Sequence, residues 1–121
     1  MDSQAVTADR LQPVLARYPE LVFGLLFGSA ARGEAEARSD IDLAFFVREP
    51  KAFPFARKLA LHADCCRALA RRELDLVILN QSRNLLLAEQ IVREGRTILN
   101  RDQEALDDYA VRVVHSIAGQ A

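Results

Sequence analysis

Asp40 and Asp42 stand two residues apart at the head of the apolar run Asp42-Leu43-Ala44-Phe45-Phe46-Val47. In an extended strand, residues i and i+2 project to one face, so this spacing points both carboxylates the same way. Like charges placed together repel, and a divalent cation relieves the repulsion. Hard carboxylate oxygens suit Mg²⁺, which commonly combines one or two carboxylates with substrate phosphates. Asp75 interrupts a second apolar run, Leu74 to Leu79. An unpaired charge buried there is expensive, and a metal or a basic partner offsets it.

Upstream of the acids, Gly28-Ser29 closes the apolar run Leu21 to Phe27, with ten residues between Ser29 and Asp40. Gly28 permits close backbone approach, Ser29 offers a hydroxyl, and amide donors of the small-residue stretch that follows favour an anion. Each feature also has an ordinary reading. Gly28-Ser29 is a tight turn, Ser39 or Asp40 caps a turn, Asp42 bonds backbone amides, and Asp75 pairs with Arg71 or Arg72. One metal and phosphate site accounts for all of them together. Arg32 and Arg38 lie in the spacer, where they either reach phosphate oxygens or balance Glu34 and Glu36 in solvent. His62, His115 and Tyr109 fall on helical faces and read as packing or surface residues.

The elements that must position these groups follow from periodicity. Leu21 to Phe27 reads as a central strand buried on both faces, Asp42 to Val47 as its neighbour, and Leu74 to Leu79 as a third strand. Arg96 to Leu99 reads as a short edge strand. Helices are predicted over about Thr7–Arg17, with Leu11, Val14 and Leu15 inward, and over about Phe53–Arg72, with Phe55, Leu59, His62, Cys66 and Leu69 on one face. Two more are predicted over about Arg83–Glu94, capped by Gly95, and about Asp102–Ile117, with Leu106, Tyr109, Val113, Val114 and Ile117 inward. This alternation predicts an α/β fold with a small mixed sheet of about four strands and helices packed on it. At 121 residues, it predicts one domain over 1–121.

A formal charge of −1 gives no strong overall field toward a nucleic-acid backbone or an anionic membrane. No apolar run is long enough to span a bilayer, and the first residues lack a signal peptide's pattern, so the chain reads as cytoplasmic. Cys65 and Cys66 are adjacent, a spacing that suits reduced thiols used as apolar packing.

Gly28-Ser29, the ten-residue spacer and Asp40-Ile41-Asp42 resemble the signature of the DNA polymerase beta-like nucleotidyltransferase superfamily. The strings GSAARGEAEARSDIDLAFFV and ELDLVIL, with the run Glu94 to Leu99, resemble its minimal nucleotidyltransferases, including the MntA-type antitoxins of HEPN/MNT toxin–antitoxin pairs. The likeness extends from about Leu21 to Arg101. It implies that Asp40 and Asp42 bind Mg²⁺, that Asp75 completes the triad as metal ligand or proton acceptor, and that Gly28 and Ser29 hold nucleotide phosphates; in such a site Arg32 of the spacer is read as a phosphate contact. It further implies transfer of AMP from ATP to a tyrosine hydroxyl of a HEPN-type toxin, HepT. Two alternatives stay open: a silent module that inhibits the toxin by covering it, and transfer to a small molecule.

Overall fold

The structure, a computed structural model, describes residues 3–28, 41–71 and 73–119. Helix α1 (Ser3–Leu15) leads into strand β1 (Leu21–Phe27), which is followed by β2 (Ile41–Val47). Helix α2 (Phe55–Leu69), β3 (Leu74–Ile78), α3 (Leu85–Glu94), β4 (Arg96–Asn100) and α4 (Gln103–Ala118) complete the order. Every residue of β1 is buried, as its unbroken apolar run predicts. The sheet runs β3-β2-β1-β4, so the two most apolar strands are central and the shorter ones lie at the edges. β1 is antiparallel to β2 and β4, while β2 and β3 are parallel, giving the expected mixed sheet.

Along β2 and β3, period-two alternation assigns the residues to one of two cores. Ile41, Leu43, Phe45 and Val47 of β2 join Leu74, Leu76 and Ile78 of β3 against Leu11 of α1 and Leu61 of α2. On the other face Phe27, Ala44, Phe46 and Val77 pack toward Ile91 of α3 and Tyr109 of α4. Helices therefore cover both faces. Phe23 and Phe46 stack at 4.8 Å between ring centroids, with Tyr109 edge-on to Phe46 at 5.5 Å.

Helix boundaries agree with local chemistry. Asn84 caps α3 by accepting from the Leu87 amide, and Asp102 caps α4 by accepting from the Ala105 amide. Gly95 ends α3 as predicted, its amide donating to the Ile91 carbonyl at 2.7 Å. A Cβ at Gly95 would overlap that same carbonyl oxygen, so the tight exit requires glycine.

The buried face of α2 differs from the predicted one. Leu69 is buried as predicted, but Leu61 and Cys65 point inward beside it, whereas Phe55 is 70% and Leu59 52% exposed. Both stripes satisfy helical spacing, and the choice between them is made by where the sheet ends. His62 sits between the two, its Nε2 donating to the Leu74 carbonyl at 2.6 Å. Val114 of α4, also expected inward, is exposed, and so is Leu86 of α3. Both cysteines are free thiols, and burial pushes the Cys65 pKa up to about 12. Among the described residues, no helix is long and apolar enough to cross a membrane.

Candidate active site

Asp42 is the second residue of β2 and Asp75 the second residue of β3. The parallel register places them directly opposite each other. Adjacent strands lie about 4.8 Å apart, so registered residues project side by side from the same face. That face is the one covered further along by α3 and α4, since Asp42 alternates with Ala44 and Phe46, and Asp75 with Val77. The two carboxylates thus emerge at one end of the sheet, just beyond its helical cover.

Phe27 lies opposite Asp42 on the other neighbouring strand, and Gly28 follows it with φ at +76°. A Cβ built on Gly28 would overlap Asp42 Oδ2. Glycine is therefore required twice over at this position. It adopts a left-handed backbone that L side chains rarely take, and it leaves room for the Asp42 carboxylate. The sequence had suggested close approach of a phosphate; the structure adds close approach of the acid itself.

The surroundings of Asp75 differ from the expectation of a buried charge. β3 is an edge strand, and Asp75 faces solvent without a hydrogen bond or ion pair among the described residues. Water solvates it, so desolvation supplies no demand for a metal. Its pairing with Arg71, one ordinary reading, is not formed. What gathers the acids is strand register. A signal for this was present in the parallel triplets Ile41-Asp42-Leu43 and Leu74-Asp75-Leu76, which put an aspartate at the same step of two strands.

Asp40, Ser29, Arg32 and Arg38 lie outside the described residues, so their part of the predicted constellation is not placed. Among the described residues there is no cluster of three or more potential metal-ligating side chains. The described pair nonetheless has the chemistry a hard cation takes: two carboxylates from adjacent strands, one half-buried and one open to solvent. An open carboxylate of this kind also has access to an acceptor's proton.

The profile of the family described as "Polymerase beta, Nucleotidyltransferase" matches residues 9–104, most of the chain. No curated protein sequence matches significantly. Among solved structures, a chain of a toxin–antitoxin pair with AMP-PNP superposes with a TM-score of 0.80 at 24% identity, covering 93% of this chain and 88% of that one. A chain of the toxin–antitoxin MntA-HepT gives 0.74 at 22% identity, covering 96% and 88%. A complex of a tri-AMPylated Shewanella oneidensis HEPN toxin with an MNT antitoxin gives 0.74 at 23% identity, covering 97% and 88%. At these identities the likeness is one of fold.

Proposed function

The chain belongs to the polymerase beta nucleotidyltransferase family, and from that premise we propose that residues 1–121 act as one minimal nucleotidyltransferase domain that transfers AMP from ATP to a tyrosine hydroxyl of a HEPN-type toxin. The observation that carries this reading is the register of Asp42 opposite Asp75 beside a glycine that admits no side chain. Its support for a toxin partner is the shared fold with chains from toxin–antitoxin complexes, one bearing AMP-PNP and one an AMPylated toxin.

In this reading Asp40, Asp42 and Asp75 hold Mg²⁺, and Gly28, Ser29 and Arg32 hold the triphosphate. Bound Mg²⁺, as a pair of ions in the usual arrangement of such sites, would neutralise charge on the phosphates and lower the pKa of the acceptor hydroxyl. The acceptor oxygen bonds to the α-phosphorus, the bond between the α-phosphorus and the bridging oxygen breaks, and pyrophosphate leaves with its electron pair. Asp75, open to solvent at the sheet edge, takes the acceptor's proton. Attaching AMP adds negative charge to the toxin, which opposes binding of an RNA backbone there. The protein then works in the cytoplasm as an antitoxin in a hetero-oligomer with its target.

The test is incubation of the protein, Mg²⁺ and the candidate toxin with ATP labelled at either the α- or the γ-phosphate. Label on the toxin from the α position alone is the expected result. Full inhibition of the toxin with no label from either position would replace transfer with inhibition by complex formation. Label from the γ position would make the protein a kinase.

A further inference from the structure

We propose that the open edge of β3 is a docking site for a partner protein, which adds an extended segment to the sheet there. Identifying that partner as the protein that supplies the acceptor hydroxyl rests on the function proposed above.

The main chain shows which groups the edge offers. The Asn80 side chain pairs with both main-chain groups of Val47, so those groups point toward β3, as do those of Leu43 and Phe45 by alternation. In the parallel register this turns the main-chain groups of Asp75 and Val77 toward β2, and those of Leu74, Leu76 and Ile78 outward. His62 takes the outward Leu74 carbonyl, in agreement with that direction. The outward N–H and C=O of Leu76 have no hydrogen-bond partner among the described residues. They lie on the floor of a groove of about 400 Å³ that runs between α2 and α3.

The walls of this groove are apolar and uncovered. Phe55, Leu59, His62 and Cys66 share one face of α2 at helical spacing. His62 reaches Leu74 and Phe55 lines the groove beside Ile78, so this face overlooks the open edge along its length. From α3, Leu87 lines the opposite wall. A strand laid on the edge would alternate its side chains between the two walls while its main chain takes the Leu76 groups.

Charge decides the occupant. Among the described residues, Lys58 is the only charged side chain lining the groove, and it makes no ion pair or hydrogen bond. Two copies of the chain paired across a two-fold axis at this edge would bring their Lys58 ammonium groups together, and lysine at an edge opposes such self-pairing. A foreign segment with a carboxylate at this level complements it. Glu73 and Asp75, exposed at the other end of the strand, repel an acid there, so the segment is acidic beside Lys58 and free of acids beside Asp75. The residue in register with Asp75 projects from the same face as the two carboxylates. A tyrosine at that position holds its hydroxyl over the acids.

The experiment is amide hydrogen exchange followed by NMR on the ¹⁵N-labelled protein, alone and saturated with the candidate toxin, without ATP or Mg²⁺. In the free protein the Leu76 amide should exchange faster than those of Asp75 and Val77, and in the complex it should slow at least about a hundredfold. Calorimetry should show Phe55→Glu and Lys58→Glu each weakening the complex about tenfold, with Lys58→Arg close to wild type and thermal midpoints unchanged. Loss of affinity without slowing at Leu76 would put a helix in the groove, and concentration-dependent slowing in the protein alone would put a second copy there; either overturns the proposal. Absence of binding, or full affinity of the Phe55→Glu/Lys58→Glu double variant, would overturn it as well. Transfer to the toxin by that double variant at the wild-type rate would leave the proposed function standing without this surface. Binding through the edge with no transfer by wild type would leave the surface standing without that function.

Discussion

Gly28 and Asp42 share a space that admits only one side chain. Gly28→Ala must therefore move either the β1 exit or the Asp42 carboxylate, because the new methyl overlaps Oδ2 and the backbone stays left-handed. The backbone term alone costs about 1 kcal/mol. The displacement of the acid should cost far more in activity, lowering kcat/KM for transfer about a hundredfold. Thermal unfolding beside steady-state kinetics separates the two effects; near-wild-type turnover in Gly28→Ala would show that the carboxylate does not need its present position. At this scale the sequence revealed the residue types but not their reasons. Asp75 stands out because it interrupts an apolar run, yet its charge is solvated at a sheet edge. Whether a short apolar strand is central or peripheral depends on its neighbours, which the chain pattern does not encode locally.

Among the elements, β2 and β3 carry the acids, and their relative position depends on a side chain that mimics a strand. Asn80, just after β3, accepts from the Val47 amide at 3.0 Å and donates to the Val47 carbonyl at 2.6 Å. This amide continues the β2–β3 pairing past the last strand residue of β3 and pins the end opposite the acids. Asn80→Ala leaves both Val47 groups unpaired and should destabilise the fold by about 2 kcal/mol, read as a lower urea midpoint at constant m-value. A midpoint within error of wild type would mean water replaces the amide fully. The strands themselves were legible because β1 and β2 are long apolar runs, and Gly95 was legible as a cap. The inward faces of helices were less so. On α2 the predicted stripe through Phe55, Leu59, His62, Cys66 and Leu69 and the buried one through Leu61, Cys65 and Leu69 both recur at helical spacing and share Leu69. The sheet ends at β3, so only one stripe finds a surface to cover.

For the molecule as a whole, stability rests partly on charge networks far from the acids. The Tyr18 hydroxyl donates to Asp64 at 2.7 Å, and this bond, with Arg17 and Arg67 beside it, holds the Asp64 pKa below the usual carboxylate range. Arg57 stacks over the Tyr18 ring and donates to Glu20 at 2.6 Å, lowering the Glu20 pKa likewise. A depressed folded pKa contributes stability that is present above the unfolded value and lost as pH falls through the folded one. Burial, with the Asp64 bond, raises Tyr18 to about 12, a contribution present below the ordinary tyrosine value and lost as pH rises through 12. The unfolding free energy should therefore stay level from about pH 6 to 8, decline below about pH 4.5, and decline again above about pH 8.5, where the Cys65 thiol ionises only in the unfolded chain. Asp64→Asn should flatten part of that acid decline; an unchanged slope would remove Asp64 from the account.

On the proposed function, Asp42 and Asp75 act together in nucleotidyl transfer to a protein hydroxyl. Intact-mass spectrometry of the partner toxin tests it most directly, after incubation with ATP, Mg²⁺ and wild-type, Asp42→Asn or Asp75→Asn protein. Expected are a mass increase of one or more AMP groups with wild type and a rate at least about a thousandfold lower with either variant, while both variants remain folded and still bind the toxin. A modified toxin at near-wild-type rate with either variant would contradict it.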